Sequence, residues 1–434
     1  MGELRILKAE AKLFVLNFLV ICSSRVFPNV HNAVLEMCAW LEIIFLIEKI
    51  IFRLFKTISD ADRSIPQILK HRGFDCEVHH ITCKDGTELE TWRLTNHNIT
   101  EKDRISIPIV LMHGLAADGS YWIVNGSSHA SDWRNSNKVD NSLAVTLSNH
   151  GRDVWVTNYR GTVYDTTQNY TGNFDDLASN DFFAIVNYIN GVTRQTQLDY
   201  VGFSQGGTMA LAAMSESEEL AKKIRHYIGV ANPFRFSHGI TGLTVEQSKR
   251  VAPFAIRFLS MFGHGLVIPR CMLKLLIYLM TGSFYSKFLS KHVFLRGMTD
   301  LNYTNYESLI THIGLQMTRH NVIQFFQTQL TSDKVLRKFD YGVDFNQIKY
   351  GQSDAPGYHL TKVNCQKISL INSTGDKMVE MDDAQYLHSL LQNVSNHYVI
   401  ENHTFDHALY HLSKDCGELF NRPLLDIVNQ VTSR

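Results

Sequence analysis

Short apolar runs alternate with longer amphipathic segments through most of this chain, beginning near residue 72. Such runs are typical of buried strands, and the segments between them have the period of helices. The predicted strands lie at 76–83, 88–94, 107–114, 152–161, 198–207, 226–233, 367–376 and 397–402. The first two form a hairpin, because the Lys-Asp-Gly-Thr sequence between them is typical of a tight turn. Strands that alternate with helices predict an α/β fold with a mostly parallel, doubly wound central sheet.

One region interrupts this alternation. Residues 235–340 are rich in Phe, Leu, Met and His and have mainly the period of helices, so we expect an inserted helical cap. The insertion divides the α/β core into a first part, residues 65–234, and a second part, residues 341–434.

The N-terminal region has a different pattern. The apolar run 13–22 is too short to span a bilayer but has the length of a signal-peptide core, with basic residues before it and small residues after it. We interpret residues 1–24 as a signal peptide or signal anchor; a membrane-surface or buried segment is the alternative. Residues 33–56 have the pattern of an amphipathic helix. We therefore interpret residues 25–64 as a membrane- or lipid-associating segment; the alternative is a helix packed on the domain.

Composition and charge exclude several classes of protein. Hydrophobic residues make up 44% of the 434 residues and charged residues 19%, which suits a packed core and excludes a mainly disordered chain. The 42 basic residues balance the 42 acidic ones, so the basic excess of a nucleic-acid-binding protein is missing. Seven scattered cysteines without a C-x-x-C pair argue against a disulfide scaffold and a zinc ribbon.

The predicted strand 198–207 ends in a candidate nucleophile. Gly202, Ser204 and Gly206 form a G-x-S-x-G motif between an apolar strand and a helix that opens with small residues. In a nucleophile elbow the serine occupies a strained turn, and both glycines are needed because a side chain there would collide with the neighbouring strand. The motif alone is weak, since a Gly-rich turn with an incidental serine has the same letters. Its place between strand and helix makes it specific.

A serine nucleophile needs a histidine base and a carboxylate that orients the histidine. In a fold that carries the serine on a nucleophile elbow, the acid follows the serine in the chain and the histidine comes last. Asp376 closes an apolar strand and is the candidate acid, with an ordinary turn aspartate as the alternative. His403 and His407 both follow the last predicted strand, and either could reach Ser204.

An oxyanion hole would complete such a site. The predicted strand 107–114 ends in His-Gly-Leu, and a loop at this point can turn a backbone N–H group toward the serine. We predict that the N–H groups of Leu115 and Gln205 hold the oxyanion; the alternative is an ordinary turn at a strand end. This chemistry needs no metal ion and no organic cofactor.

From about residue 65 to its C-terminus, the chain resembles the acid lipases, the gastric and lysosomal type of neutral-lipid esterase with the α/β-hydrolase fold. The likeness rests on the His-Gly-Leu strand end, on VGFSQGG against the family's V-G-H-S-Q-G, and on GRDVWVTNYRGTVY against its G-Y-D-V-W-x-G-N-x-R-G-N-x-Y. Residues 339–360 also resemble the stretch that leads to the family's penultimate strand.

The resemblance assigns the catalytic serine and acid to the same two residues, Ser204 and Asp376. For the base, an ungapped register and the spacing to Asp415 favour His407, whereas the family's Asn-His dipeptide matches His403.

The chain also departs from the family pattern. Phe203 replaces a histidine before the nucleophile, which should be tolerated because that side chain does no chemistry. Extra residues near 127–140 enlarge the loop after the oxyanion strand, and the family's cysteine pair in the cap is absent.

Together these observations predict a serine lipase that cleaves carboxylic ester bonds of neutral lipids, triacylglycerols or sterol esters, through an acyl-enzyme. Its partners would be the lipid ester and a lipid or membrane surface, without nucleic acid; the oligomeric state is left open. Two alternatives remain. One is a lipid-binding protein that retains the fold without turnover, and the other is a carboxylesterase for short, soluble esters.

Seven N-x-S/T sequons occur, and all except the one at Asn372 favour a glycoprotein of the secretory pathway, secreted or lysosomal. The apolar N-terminal segments predict membrane association. The sequon at Asn372 falls in a predicted strand, and we interpret it as buried. The others lie at Asn98, Asn125, Asn169, Asn302, Asn393 and Asn402.

Overall fold

The computed structural model describes residues 63–126, 139–165, 172–239, 244–260, 265–267 and 316–430, with the single residues 60, 300, 302, 308 and 312. Apart from residue 60, these residues belong to one compact unit formed by residues 63–267 and 295–434. The predicted segment 1–24 and nearly all of 25–64 lie outside the described residues. Within the described part of the chain, no helix is long and apolar enough to cross a membrane.

An eight-stranded sheet forms the centre of this unit. The strands of the described residues run over Asp75–Thr82 (β1), Glu88–Thr95 (β2), Ile105–Met112 (β3), Arg152–Thr157 (β4), Leu198–Phe203 (β5), Ile224–Val230 (β6), Gly265–Val267 (β7), Gln316–Thr318 (β8), Lys367–Ser373 (β9) and Val394–Ile400 (β10). The spatial order in the sheet is β1-β2-β4-β3-β5-β6-β9-β10, while β7 and β8 pair separately.

The six strands from β4 to β10 in this spatial order are all parallel. The remaining two form the predicted hairpin: β1 is antiparallel to β2, and β2 is antiparallel to β4. The prediction of an α/β fold with a mostly parallel sheet is therefore confirmed. Parallel strands have their carboxyl ends at one edge of the sheet, so the loops after β3, β5, β9 and β10 share that edge.

Helices cover both faces of the sheet. They run over Ile65–His71 (α1), Leu143–Asn149 (α2), Phe174–Asp176 (α3), Phe182–Thr193 (α4), Gln205–Glu216 (α5), Glu218–Lys222 (α6), Val245–Ser260 (α7), Arg319–Thr328 (α8), Val343–Tyr350 (α9), Met381–Leu390 (α10), Leu409–Leu412 (α11) and Arg422–Asn429 (α12). Val110 and Met112 of β3 enter one core with α4 and α5, and Ile109 and Leu111 enter the other with α1, α2 and α12. A strand buried on both faces is apolar throughout, which explains its sequence.

Between β6 and β9 the chain leaves the sheet. The described elements between these two strands are α7, the β7–β8 pair and α8, which fall within the predicted cap 235–340, and α9, which lies beyond it. Helices α7 and α8 pack around a small separate core of Leu259, Ile323 and Phe339. The boundaries 235–340 of the cap stay a prediction, because residues 268–299 lie outside the described residues.

Candidate active site

Ser204 lies at the sharp turn between β5 and α5. Its backbone angles are φ 50° and ψ −127°, a positive φ that a residue with a side chain rarely adopts. A Cβ atom at Gly202 would come within 2.4 Å of the Cα atom of Gly207, and one at Gly206 within 2.3 Å of the His113 carbonyl oxygen. The second glycine therefore makes room for the end of β3, as expected. The first makes room for the start of the helix rather than for a strand.

Three of the predicted side chains form a hydrogen-bonded chain at the carboxyl edge of the sheet. The Nε2 atom of His407 lies 2.9 Å from the Ser204 hydroxyl oxygen, and its Nδ1 atom lies 2.8 Å from Asp376 Oδ2. The other oxygen of Asp376 accepts hydrogen bonds from the backbone N–H groups of Met378 and Val379, both at 2.9 Å. A carboxylate only accepts, so this arrangement assigns the ring proton to Nδ1 and leaves Nε2 to accept the serine proton.

Two loops hold the acid and the histidine in this arrangement. The loop after β9 carries Asp376, and the loop after β10 carries His407. The Ser373 hydroxyl donates to the carbonyl oxygen of Phe405 at 2.7 Å and so ties the first loop to the second. The Asp406 carboxylate accepts the backbone N–H of His407 at 2.7 Å. Phe405 is fully buried, which anchors the second loop in the core.

His403, the other candidate base, is not hydrogen-bonded to Ser204 or Asp376. Its side chain is exposed and lines a cavity of about 400 Å³, whose walls also include Asp376, Lys377 and Glu380. Of the two histidines, His407 is the one that is hydrogen-bonded to both the serine and the acid.

The segments with the predicted oxyanion donors approach Ser204 from two directions. Gln205 is the first residue of α5, where N–H groups have no acceptor within the helix. The loop after β3 passes directly beside the serine, since a Cβ atom at Gly114 would lie 2.9 Å from Ser204 Cβ, and Leu115 follows in this loop. The Tyr159 hydroxyl donates to the Gly114 carbonyl oxygen at 2.5 Å and fixes the loop.

Two uncharged histidines are buried around this site. Burial lowers the pKa of both His113 and His411 to about 3. The ring of His411 packs edge-on against Trp122 and Phe203, with centroid distances of 4.3 and 4.4 Å. Phe203 also lies 4.9 Å from the ring of His407. The residue before the nucleophile therefore forms a wall beside the base, a contact that the sequence did not predict.

We expect His411 to make the protein sensitive to acid. Burial, with smaller effects of the nearby His407 and His113, lowers the pKa of His411 to about 3, whereas an unfolded histidine has a pKa of about 6.5. Between these values the unfolded chain binds a proton that the folded chain excludes, so stability falls as the pH decreases below about 6.5. When the pH falls from about 7 to 4.5, the free energy of unfolding should decrease in both proteins. The decrease should be roughly 2–3 kcal/mol smaller in His411→Leu than in the wild type.

Urea unfolding of both proteins at the two pH values measures this difference. Leu409→Ala, which truncates a buried residue of the same helix, is the control. It removes no titratable group, so its destabilisation should be the same at both pH values. An unchanged pH dependence of stability in His411→Leu would contradict the prediction.

Asn232, a residue that the sequence analysis did not single out, contacts the nucleophile turn from inside the protein. It follows β6 by two positions, and its side-chain amide donates to the carbonyl oxygen of Ser204 at 2.9 Å. The G-x-S-x-G motif does not include it. The signal that could have found it is Gly207, because a further glycine in the first turn of a helix costs stability and marks a close approach of another group.

The structure separates the sequons into buried and exposed ones. Asn125 and Asn302 are only 1% and 7% exposed, and the Asn302 side-chain amide donates to Asn125 Oδ1 at 2.9 Å. A glycan cannot be attached to a buried amide in the folded protein, so these two sequons lend no support to the glycoprotein prediction, which stays a prediction. Asn372 is also buried. Asn98 and Asn393 are exposed, Asn402 is half-buried, and residue 169 lies outside the described residues.

Comparison with known proteins agrees with this fold. A family model described as the partial alpha/beta-hydrolase lipase region matches residues 65–126, and one described as the alpha/beta hydrolase fold matches residues 107–241.

Several curated relatives match most of the chain. Human gastric triacylglycerol lipase is 26% identical over 366 residues, which cover 78% of this chain and 84% of that protein. A relative from Crotalus adamanteus, named as a lysosomal acid lipase/cholesteryl ester hydrolase, is 28% identical over 385 residues, with coverage of 85% and 91%. Human lipase member K is 25% identical over 388 residues, with coverage of 86% and 92%. Over most of its length the chain is thus similar to acid lipases, and it is a carboxylic ester hydrolase with the alpha/beta-hydrolase fold.

Proposed function

We propose that the chain is a serine lipase that cleaves neutral-lipid esters through an acyl-enzyme. Ser204 attacks the ester carbonyl, His407 takes the hydroxyl proton and gives it to the leaving alcohol, and Asp376 orients the imidazole. The N–H groups of Leu115 and Gln205 stabilise the oxyanion. The observation that carries this proposal is the hydrogen-bonded chain from Asp376 through His407 to Ser204.

The second half of the reaction uses the same groups. Water attacks the acyl carbon, His407 takes a proton from this water, and the tetrahedral intermediate collapses to free fatty acid. The proton then returns from His407 to the Ser204 oxygen, which restores the enzyme. Each step moves one proton through His407 Nε2, the atom 2.9 Å from the serine oxygen.

The substrate class comes from the relatives. Their names include a triacylglycerol lipase and a cholesteryl ester hydrolase, and we propose one of these two neutral-lipid ester classes for this chain. The apolar composition of the predicted cap 235–340 suits a long acyl chain, because burying each methylene group contributes about 0.8 kcal/mol.

A fluorophosphonate probe followed by an acyl-chain series tests the proposal. The wild-type protein should be labelled at Ser204 and should hydrolyse emulsified long-chain triacylglycerol or sterol ester faster than short, soluble esters. Labelling with a preference for short, soluble esters would favour a carboxylesterase. Binding of long-chain lipid without labelling or turnover would favour a lipid-binding protein on the same fold.

The N-terminal and processing predictions are part of this proposal. We propose that residues 1–24 direct the chain into the secretory pathway as a signal peptide or signal anchor, and that residues 25–64 associate with a lipid surface. The two core parts, 65–234 and 341–434, would then form the hydrolase body. Sequencing the N-terminus of the natural protein tests the first point, because cleavage would place it near Arg25.

We expect residues 1–56 to govern attachment to lipid rather than catalysis. Their apolar density is the highest in the chain, and the proposed catalytic residues lie beyond residue 107. A protein without residues 1–56 should leave liposomes and triacylglycerol emulsions in flotation assays and still hydrolyse a soluble short-chain ester. The soluble ester also serves as the control for folding. Equal partitioning of the full-length and shortened proteins into liposomes would contradict this expectation.

A further inference from the structure

The amide of Asn232 joins three carbonyl groups around the nucleophile turn. Its Nδ2 atom donates to the carbonyl oxygens of Gly202 and Ser204, both at 2.9 Å, and of Val230 at 3.1 Å. An amide nitrogen carries two hydrogens, so one of them is shared between two acceptors. The first two carbonyls belong to the nucleophile turn and the third to the end of β6. One buried side chain therefore links both strand ends beneath the serine.

The surroundings of Asn232 fix which way its amide faces. The Tyr227 hydroxyl donates to Asn232 Oδ1 at 2.8 Å, and both residues are buried. A flipped amide would direct Oδ1 at three carbonyl oxygens, which repel it and have no hydrogen to donate. A Cβ atom at Gly207 would lie 2.0 Å from Asn232 Nδ2, and one at Gly229 would lie 2.1 Å from Oδ1. These two glycines leave the space that the amide fills.

The carbonyl of Ser204 is part of the peptide group that contains the Gln205 N–H. A trans peptide is planar and rigid, and its C=O and N–H bonds point in opposite directions. The Ser204 oxygen also accepts the backbone N–H groups of Gly207 and Thr208 at 3.0 and 3.2 Å. Asn232 adds the shortest of these hydrogen bonds, from inside the protein, and so helps to fix the direction of the Gln205 N–H. A hydrogen bond accepted by the carbonyl also polarises the peptide group and makes its N–H a stronger donor.

We propose that Asn232 is a positioning residue for the oxyanion hole, which holds the peptide between Ser204 and Gln205 so that its N–H points at the developing oxyanion. The inference rests on the proposed serine mechanism. Asn232 itself does not touch the reacting atoms. Its contribution should appear where negative charge develops on the substrate oxygen, in the transition state, and not in the binding of the neutral ester.

Kinetics of Asn232→Ala and Asn232→Asp in the full-length protein test this assignment. Removing one oxyanion donor outright typically costs about 10²–10³-fold in kcat, so misdirecting a donor that remains should lower kcat by about 10–100-fold with KM unchanged. Asn232→Asp should show the larger loss, because a carboxylate cannot donate to the three carbonyls. Tyr227→Phe frees the amide to rotate and should give a smaller loss in the same parameter.

An alkyl trifluoromethyl ketone separates positioning from a purely structural role. Its carbonyl adds to the serine and forms a tetrahedral oxyanion, so its affinity should fall by the same factor as kcat in each variant. Asn346→Ala is the matched control, because this buried amide joins Asp340 and the Ser353 carbonyl far along the chain from the nucleophile. It should leave both quantities unchanged.

Several outcomes would overturn the inference. These are an unchanged kcat in Asn232→Ala and Asn232→Asp, a rise in KM alone, or an equal loss of kcat in the Asn346→Ala control. If Asn232→Asp fails to fold, Asn232→Ala and Tyr227→Phe decide. A wild-type protein that neither hydrolyses esters nor reacts with a fluorophosphonate refutes the proposed function instead, and so the two failures are distinguishable.

Discussion

The Ser204→Ala protein should lose ester hydrolysis by about 10⁶-fold in kcat, leaving the residual rate that binding and the oxyanion hole provide. Alanine has no oxygen that could attack the ester. The substitution should leave the fold intact, because it removes a single oxygen atom that is hydrogen-bonded to His407 at the surface of the turn. The measurement is kcat on an emulsified long-chain ester and on a soluble short-chain ester, with circular dichroism to compare the fold.

Ser215→Ala is the matched control for this prediction. Ser215 is a buried serine of α5, the helix that follows Ser204, and its hydroxyl donates to the Ala212 carbonyl oxygen at 2.7 Å. Its replacement removes the same atom from a place without a histidine partner, so kcat should stay close to that of the wild type. A Ser204→Ala protein with near-wild-type turnover would show that the nucleophile is another residue.

Much of the fold could be predicted from the pattern of apolar positions. The central strands are buried on both faces, so their sequences are mainly apolar, and their order along the chain follows directly. Strand ends were predicted less well. The predicted strand 152–161 ends at Thr157, because β4 pairs with its neighbours only as far as that residue. The polar and glycine residues that follow form the loop at the carboxyl edge.

The sequence predicted the chemical groups of the proposed site but not the groups that hold them. Ser204 and Asp376 stand at strand ends with short, local signals. Asn232 lies 28 residues beyond the serine and reaches it through the space that Gly207 leaves, a relation that depends on three-dimensional packing. Phe203 was expected to do no chemistry, and the structure adds that its ring packs beside His407.

The identity of the base was ambiguous for a similar reason. His403 and His407 lie four residues apart on a loop without a regular period. The register and the spacing to Asp415 favour His407, whereas the Asn-His dipeptide favours His403. The core adds a physical reason for His407: Phe405 between them is fully buried, and the loop turns around it toward α11. His403 remains on the exposed side of this turn, beside the cavity wall at Lys377.

We expect His407→Ala to lose kcat to nearly the same extent as Ser204→Ala, because the serine then has no group to accept its proton. His403→Ala should retain most of the activity, since its imidazole lines the cavity and His407 makes the contacts with Ser204 and Asp376. Kinetics of both variants on the soluble ester, with circular dichroism spectra, measure this contrast. The two substitutions are chemically identical and four positions apart, so each is the matched control for the other.

The double variant Ser204→Ala/His407→Ala makes the test sharper. Residues that act as one catalytic unit are not additive, so the double variant should be about as slow as either single variant. If His407 instead served only to support the loop, its loss would add to that of Ser204 and the double variant would be slower than both. Activity that survives in His407→Ala and disappears in His403→Ala would move the base to His403. The loop after β10 would then have to rearrange around Phe405 when substrate binds.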